Sequence, residues 1–174
     1  MKDRIPRLGI DIGRVIIDGT SHPEGGDTAF FAGDTATMLR TPAVPGAFEA
    51  IARLVARFEG RAWLVSKCGE RVQRRTLHWL DHHDFAGRTG IAPDRVRFCR
   101  RRPDKAIHCA ELGITHFVDD KLDVHEALRG MVPHLYLFGR QARCPAWLAH
   151  TPTWPAAEAA ITAALAGTPA GRDR

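Results

Sequence analysis

The stretch Leu8-Gly9-Ile10-Asp11-Ile12-Gly13-Arg14-Val15-Ile16-Ile17-Asp18 constrains the fold of this chain more than any other. A short apolar run carries the carboxylate of Asp11 at its end, and a glycine then lets the backbone turn before a second apolar run begins. That is how a buried parallel strand presents a reactive side chain at its C-terminal edge. Three further apolar runs end in polar groups: Ala62-Trp63-Leu64-Val65 in Ser66-Lys67, Ile114-Thr115-His116-Phe117-Val118 in Asp119-Asp120, and Leu135-Tyr136-Leu137-Phe138 in Gly139-Arg140. The repetition carries more weight than any single residue.

Between these runs lie helix signals. Pro45 takes the first-turn position of a helix whose Phe48, Ile51, Leu54, Val55 and Phe58 keep helical spacing and which Gly60 ends. A second helix is predicted over 70–84, with Val72, Leu77, Trp79 and Leu80 half buried. A third is opened by Pro103 and stopped by Gly113, a short one covers 122–128, and a last one, 156–165, follows Thr153-Trp154-Pro155. Strands are predicted over 8–12, 61–65, 96–99, 114–118 and 134–138, with a second extended piece over 15–17. Strands alternating with helices imply an α/β fold with a doubly wound parallel sheet and right-handed crossovers. Residues 19–41, rich in Gly, Asp, Thr and Ser and containing Gly25-Gly26 as a candidate hairpin turn, read as a flap too polar for a core element. Residues 168–174 read as a frayed tail.

With 174 residues and 44% hydrophobic content, 1–167 suits one domain with a sizeable core. The 25 basic and 20 acidic residues are mixed along the chain, so the net charge of +5 suits an anionic substrate without requiring nucleic acid. Arg95, Arg97, Arg100, Arg101 and Arg102 form the one strong basic cluster; a solvated loop is its default reading and contact with a sugar phosphate or nucleotide tail the alternative, while the lack of stacking aromatics beyond Phe98 argues against nucleic acid. His78 and His82 have a metal-gripping spacing, beside Asp81 and His83, but no third ligand is identifiable, which leaves an amphipathic helix surface. Cys68, Cys99, Cys109 and Cys144 form no CxxC pair, and no signal peptide or spanning segment is found, so reduced thiols, a cytoplasmic location and no membrane association are expected.

In a doubly wound sheet the C-terminal strand ends face one crevice, where Asp11, Ser66, Asp119 and Asp120 converge. Carboxylates gathered at one point repel each other unless a cation sits among them, and an all-oxygen donor set suits Mg²⁺, which also carries phosphate oxygens. Ser66 can then donate to a phosphate oxygen, Lys105 can neutralise a phosphoryl group, and Asp11 can attack phosphorus as a covalent nucleophile. Of the Asp119-Asp120 pair, one is expected to cap the following helix and at least one to reach the metal.

This set resembles the haloacid dehalogenase superfamily, most of whose members are Mg²⁺-dependent phosphatases. Asp11 matches the nucleophile of the first motif, with Val15 and Ile16 in its apolar positions; Ser66 matches the Ser/Thr of the second and Lys105 the Lys/Arg of the third. Asp119 and Asp120, followed by Asp123, match the acidic fourth motif. The resemblance spans 8–139 and implies a Rossmann-like core in three α/β/α layers, with a short flap and no large cap domain. It also implies an aspartyl-phosphate route on a small phosphorylated metabolite. The metal would be held by Asp11, Asp119, Asp120 and the backbone carbonyl of residue 13, and phosphate by Ser66, Lys67, Lys105 and Arg14.

One position departs from the pattern. The family's phosphatases have a second aspartate two residues after the nucleophile, which protonates the leaving group and later activates water; here that residue is Gly13. Glycine keeps the carbonyl ligand and loses the acid and base, a loss worth about 10²–10⁴-fold in rate. Three readings follow: a phosphohydrolase borrowing an acid from His22, Glu24 or Asp27 of the flap; other chemistry such as carbon–phosphorus cleavage or dehalogenation, with Lys67 the nearest Schiff-base lysine; or a non-catalytic module that binds a phosphorylated ligand or partner. Arg14 can stabilise an anion but cannot act as a base at neutral pH.

Overall fold

The computed structural model describes residues 4–20 and 33–167. Six parallel strands form one sheet: β1 (Leu8–Ile10), β2 (Ala62–Lys67), β3 (Val96–Cys99), β4 (His116–Asp119), β5 (His134–Phe138) and β6 (Ala149–Thr151). Their order is β3-β2-β1-β4-β5-β6. From β1 the chain builds outward to one side and then returns to build the other, so the order reverses between β1 and β4. This is the doubly wound, Rossmann-like arrangement, whose crevice opens at that reversal. In register, Ile10 faces Leu64 on one side and Val118 on the other.

Alternation along the strands sends side chains to both faces. Leu64, Val118 and Tyr136 join one core with Phe48, Ile51 and Leu54 of α2 (Ala47–Arg57), Trp79 and Leu80 of α3 (Glu70–His82), and Trp154 and Ile161 of α7 (Trp154–Gly167). Val65 and Phe117 join the other, with Cys109 of α5 (Lys105–Leu112) and Val124 and Leu128 of α6 (Leu122–Leu128). A strand buried on both faces has no polar side, which is why these segments read as continuous apolar runs. Two tryptophans also pin loops: Trp154 Nε1 donates to the Val15 carbonyl at 2.8 Å and Trp79 Nε1 to that of Thr41 at 2.9 Å.

Several segments differ from their sequence reading. Residues 15–17 form no strand, although Ile17 makes an isolated antiparallel bridge to Ala43; the Ile12 carbonyl accepts the amides of Val15, Ile16 and Ile17, making a tight turn whose apolar side chains are all buried. Residues 21–32, with Gly25, Gly26, His22, Glu24 and Asp27, lie outside the described residues, as does the tail at 168–174. The rest of the expected flap contains α1 (Thr35–Leu39), capped by Asp34 and burying Met38. Its surroundings are held by α3, since Arg75 donates to the Gly33 carbonyl and His83 Nε2 to that of Leu39. The helix over 70–84 stops earlier, because Asp84 takes a left-handed conformation (φ 51°) and the chain restarts as α4 (Phe85–Thr89), burying Phe85. Leu77 is exposed rather than half buried. Pro45 precedes α2 instead of entering it, and Pro103 lies in a 3-10 turn ahead of α5.

Gly9 of β1 lies beside its register partner Phe117 on β4. A Cβ there would lie 2.5 Å and 2.8 Å from Phe117 ring atoms and 3.2 Å from Ile114 Cγ2. Both neighbours are buried and close-packed, so the added methyl has nowhere to go. Gly9→Ala should therefore cost about 1–3 kcal/mol in urea unfolding, the usual penalty of overpacking. A variant as stable as the parent would show that β1 shifts at no cost.

Candidate functional site

Asp11 directly follows β1, and its amide donates to the Val118 carbonyl at 2.9 Å. That bond sets it beside Asp119, the last residue of β4, and Asp120, the next in the chain. The tight turn on the Ile12 carbonyl then carries the backbone away, with Arg14 at φ 62°, a left-handed conformation uncommon outside glycine. Ser66 and Lys67 close β2, and Lys105 opens α5 after a 3-10 turn at Arg102–Asp104. Four different segments thus deliver charged or polar groups to the sheet edge at the reversal of strand order.

The centre of the arrangement is a buried ion set. Lys105, 2% exposed, places Nζ 2.8 Å from Asp11 Oδ1 and 2.6 Å from Asp119 Oδ2. The other Asp119 oxygen accepts the Lys121 amide at 2.9 Å, so this aspartate reaches the backbone just ahead of α6 rather than capping it from the N-cap position, which is Lys121. Asp120 pairs with Lys121 Nζ at 3.3 Å. One carboxylate oxygen from each of Asp11, Asp119 and Asp120 lies within 4.8 Å of the others.

Two lysines, Lys105 and Lys121, do not neutralise three carboxylates in such a space. Burial pushes Asp11 up to about 6, with the Asp119 charge adding to the effect and Lys105 opposing it. Asp119 and Asp120 are each pushed up to about 6 as well, first by burial. Lys105 is pulled down by burial but held well above its ordinary value by Asp11 and Asp119, so it stays charged. A donor set of hard oxygens with unmatched negative charge fits a divalent cation such as Mg²⁺.

A second tier holds these groups. His125, kept neutral by burial with its pKa near 4, donates Nε2–H to the Asp119 carbonyl at 3.0 Å. Gln141 Nε2 donates to the carbonyls of Asp120 and Phe138, at 2.9 Å and 2.7 Å. Nothing in the sequence pattern flagged either residue, since each acts on backbone rather than on the site itself.

Asp11, Gly13, Arg14, Ser66, Lys67, Lys105 and Asp120 all line one cavity, so most of the expected site residues do meet. Asp119, with no exposure, is not part of the wall. Cys68, Thr76, Arg102 and Lys121 also line it; Arg102 belongs to the basic cluster, Cys68 closely follows Ser66, and Lys121 had a signal in its place directly after the aspartate pair. Asp123 does not join the carboxylates but pairs with Arg102 at 3.1 Å. The basic cluster resolves into local contacts, among them Arg100 with Glu70, Arg101 with Asp104, and Arg95 over the Trp63 ring. His78 and His82 are exposed on α3 and belong to no metal-capable group among the described residues. All four cysteines are free thiols, and burial raises the Cys68 pKa to about 11, which makes it a poor thiolate.

No family model matches the chain, and no curated protein matches it significantly. Among the described residues no helix is long and apolar enough to cross a membrane.

Removing the lysine strands two buried carboxylates. Lys105→Met should cost about 3–5 kcal/mol at pH 7.5, and the deficit should shrink at pH 5, where the carboxylates take up protons. Urea unfolding at the two pH values checks this; a loss unchanged by pH would show that packing, not charge, is what Lys105 supplies.

The cation can be tested separately. The folded aspartates titrate near 6 against 3.8 for the free side chain. The folded protein therefore holds protons that the unfolded chain has released, and stability falls as pH rises through that window. Mg²⁺ competes with those protons for the same oxygens. Its gain in melting temperature should be small at pH 5 and full at pH 7.5, and an equal gain at both would place the ion elsewhere.

Proposed function

We propose that this protein is a Mg²⁺-dependent phosphohydrolase of the haloacid dehalogenase type, acting on a small phosphorylated metabolite through an aspartyl-phosphate on Asp11. The observation that carries this reading is the grouping of Asp11, Asp119 and Asp120 around one point, with Lys105 between two of them. A fold does not need three carboxylates buried together, and their cost is offset only if they hold something.

Asp11, Asp120 and Asp119, with the carbonyl of Gly13, would hold the ion, which supplies charge neutralisation and orientation to the phosphoryl group. Lys105 fixes the Asp11 carboxylate through Oδ1, leaving its other oxygen as the attacking atom. That oxygen forms a bond to phosphorus as the bond from phosphorus to the leaving-group oxygen breaks, and the leaving oxygen takes a proton from solvent water, to which the attacking water of the second step returns one. Water then attacks phosphorus, releasing inorganic phosphate and restoring the carboxylate. Ser66 donates to a phosphoryl oxygen, while Lys67 and Arg14 add positive charge on the cavity wall.

A second reading has its own support. Apart from Asp11 and Asp120, no carboxylate or imidazole lines this cavity among the described residues, and Gly13 provides none. A catalytically impaired protein that binds a phosphorylated ligand or partner, or one with carbon–phosphorus or dehalogenase chemistry, uses the same pocket.

Hydrolysis of p-nitrophenyl phosphate, whose leaving group needs no acid, separates these readings. Turnover that requires Mg²⁺ and is abolished by Asp11→Asn supports the phosphohydrolase, and Gly13→Asp should then raise the rate on alkyl phosphates by about 10²-fold or more. An inert parent with an active Gly13→Asp variant would favour the binding protein. Inertness of both would count against the phosphohydrolase.

A further inference from the structure

The cavity beside Asp11 is small, about 30 Å³, well below the usual range for small-molecule sites, and leaves the bulk of an organic substrate outside it. A second cavity of about 540 Å³, in the usual range for small-molecule sites, shares Arg14, Asp120 and Lys121 with the first. The two are therefore neighbours across these three residues. The larger one runs along the C-terminal end of β5, and its remaining wall includes Val44, Phe138, Arg140 and Pro152.

Its charged groups divide clearly. Asp120 belongs to the carboxylate cluster and is paired with Lys121, and Asp18 accepts the Thr20 amide at 2.8 Å. Arg14 and Arg140 are the guanidinium groups of the wall, and both stand on fixed backbone. Arg14 lies flat against Gly19, where a Cβ would come within 2.8 Å of its Cγ, and its left-handed turn is held by the Ile12 carbonyl. Arg140 sits between two anchored neighbours. Gly139, at φ 78°, donates its amide to the Thr151 carbonyl, and the Gln141 side chain clamps the carbonyls of Phe138 and Asp120. Arginines on fixed backbone, above an apolar floor, make a planar double-donor site for a carboxylate or phosphate.

We propose that this second cavity receives the leaving group of the substrate, and that Arg140 binds a second anionic group on it. The substrate is then a compact organic phosphate with a carboxylate or a second phosphate at its far end. This deepens the phosphohydrolase reading and rests on it for the placement of the scissile phosphate.

The test compares probes that share a carbon skeleton. With Mg²⁺ present, kcat/KM for 3-phosphoglycerate should exceed that for glycerol 3-phosphate by about tenfold, the value of one charge-assisted contact. Propane-1,3-diol bisphosphate, compared with propyl phosphate, tells whether phosphate serves as well as carboxylate. Arg140→Ala should bring both ratios close to one and Arg140→Lys should retain part of them. Equal rates for the paired probes, or ratios that Arg140→Ala leaves unchanged, would overturn the proposal. If no probe is hydrolysed, the phosphohydrolase reading fails, and calorimetric binding of the same pairs decides the subsite by itself. Tighter binding of the doubly anionic member, lost in Arg140→Ala, would uphold it; equal binding, or none, would overturn it.

Discussion

The charge of Lys105 is the constraint around which the rest of this structure is arranged. It begins a helix, yet it is buried and touches carboxylates from two neighbouring strands. A buried ion set of this kind adds little net stability, because desolvation consumes most of the Coulombic gain, but it is intolerant of losing a member. β1, β4 and α5 must therefore meet in one register, and the apolar packing on both sheet faces holds them there. Three carboxylates set against Lys105 and Lys121 leave the centre one positive charge short, while Lys67, Arg14 and Arg102 stand on the surrounding wall, so the demand for positive charge is local to the cluster.

That demand is met on a rigid frame. Each acidic residue is tied through its own backbone: Asp11 by the Val118 carbonyl, Asp119 by His125 and Asp120 by Gln141. Reactive groups need their supporting contacts for geometry more than for affinity, since a carboxylate that swings loses its alignment with whatever it holds. Gln141 has a wider part, because the same amide spans the loop after β4 and the loop after β5. The carboxylate cluster and the larger cavity beside it thus share one strut.

The central strands and most helices could be read from the sequence because burial on both faces leaves unbroken apolar runs, and glycine at 60 and 113 closes helices with positive φ as expected. The convergence of Asp11, Ser66 and Asp120 on one cavity followed from topology alone, whereas Lys105 on its helix was reached through the phosphate chemistry and the resemblance. The failures share a cause, which is that local composition says little where tertiary contacts decide. β6 escaped notice because only Thr151 of its three residues is buried, and its pairing to β5 rests on backbone. α1 was hidden in a polar stretch whose one buried anchor is Met38. Residues 15–17 look like a strand but spend their apolar side chains on a turn, because one carbonyl collects three amides. Asp123 looked equivalent to its neighbours until the helix carried it away toward Arg102.

The two outermost strands bear on how this molecule behaves in a crowd. β3 and β6 are four and three residues long. β3 carries Arg97, with its guanidinium folded back onto the Asp94 carbonyl, and β6 presents His150, whose ring caps the Gly139 carbonyl. A parallel sheet with long bare margins is a template on which other chains can add strands. Short margins closed by side chains offer little length for such growth, so the sheet ends at the boundary of the molecule.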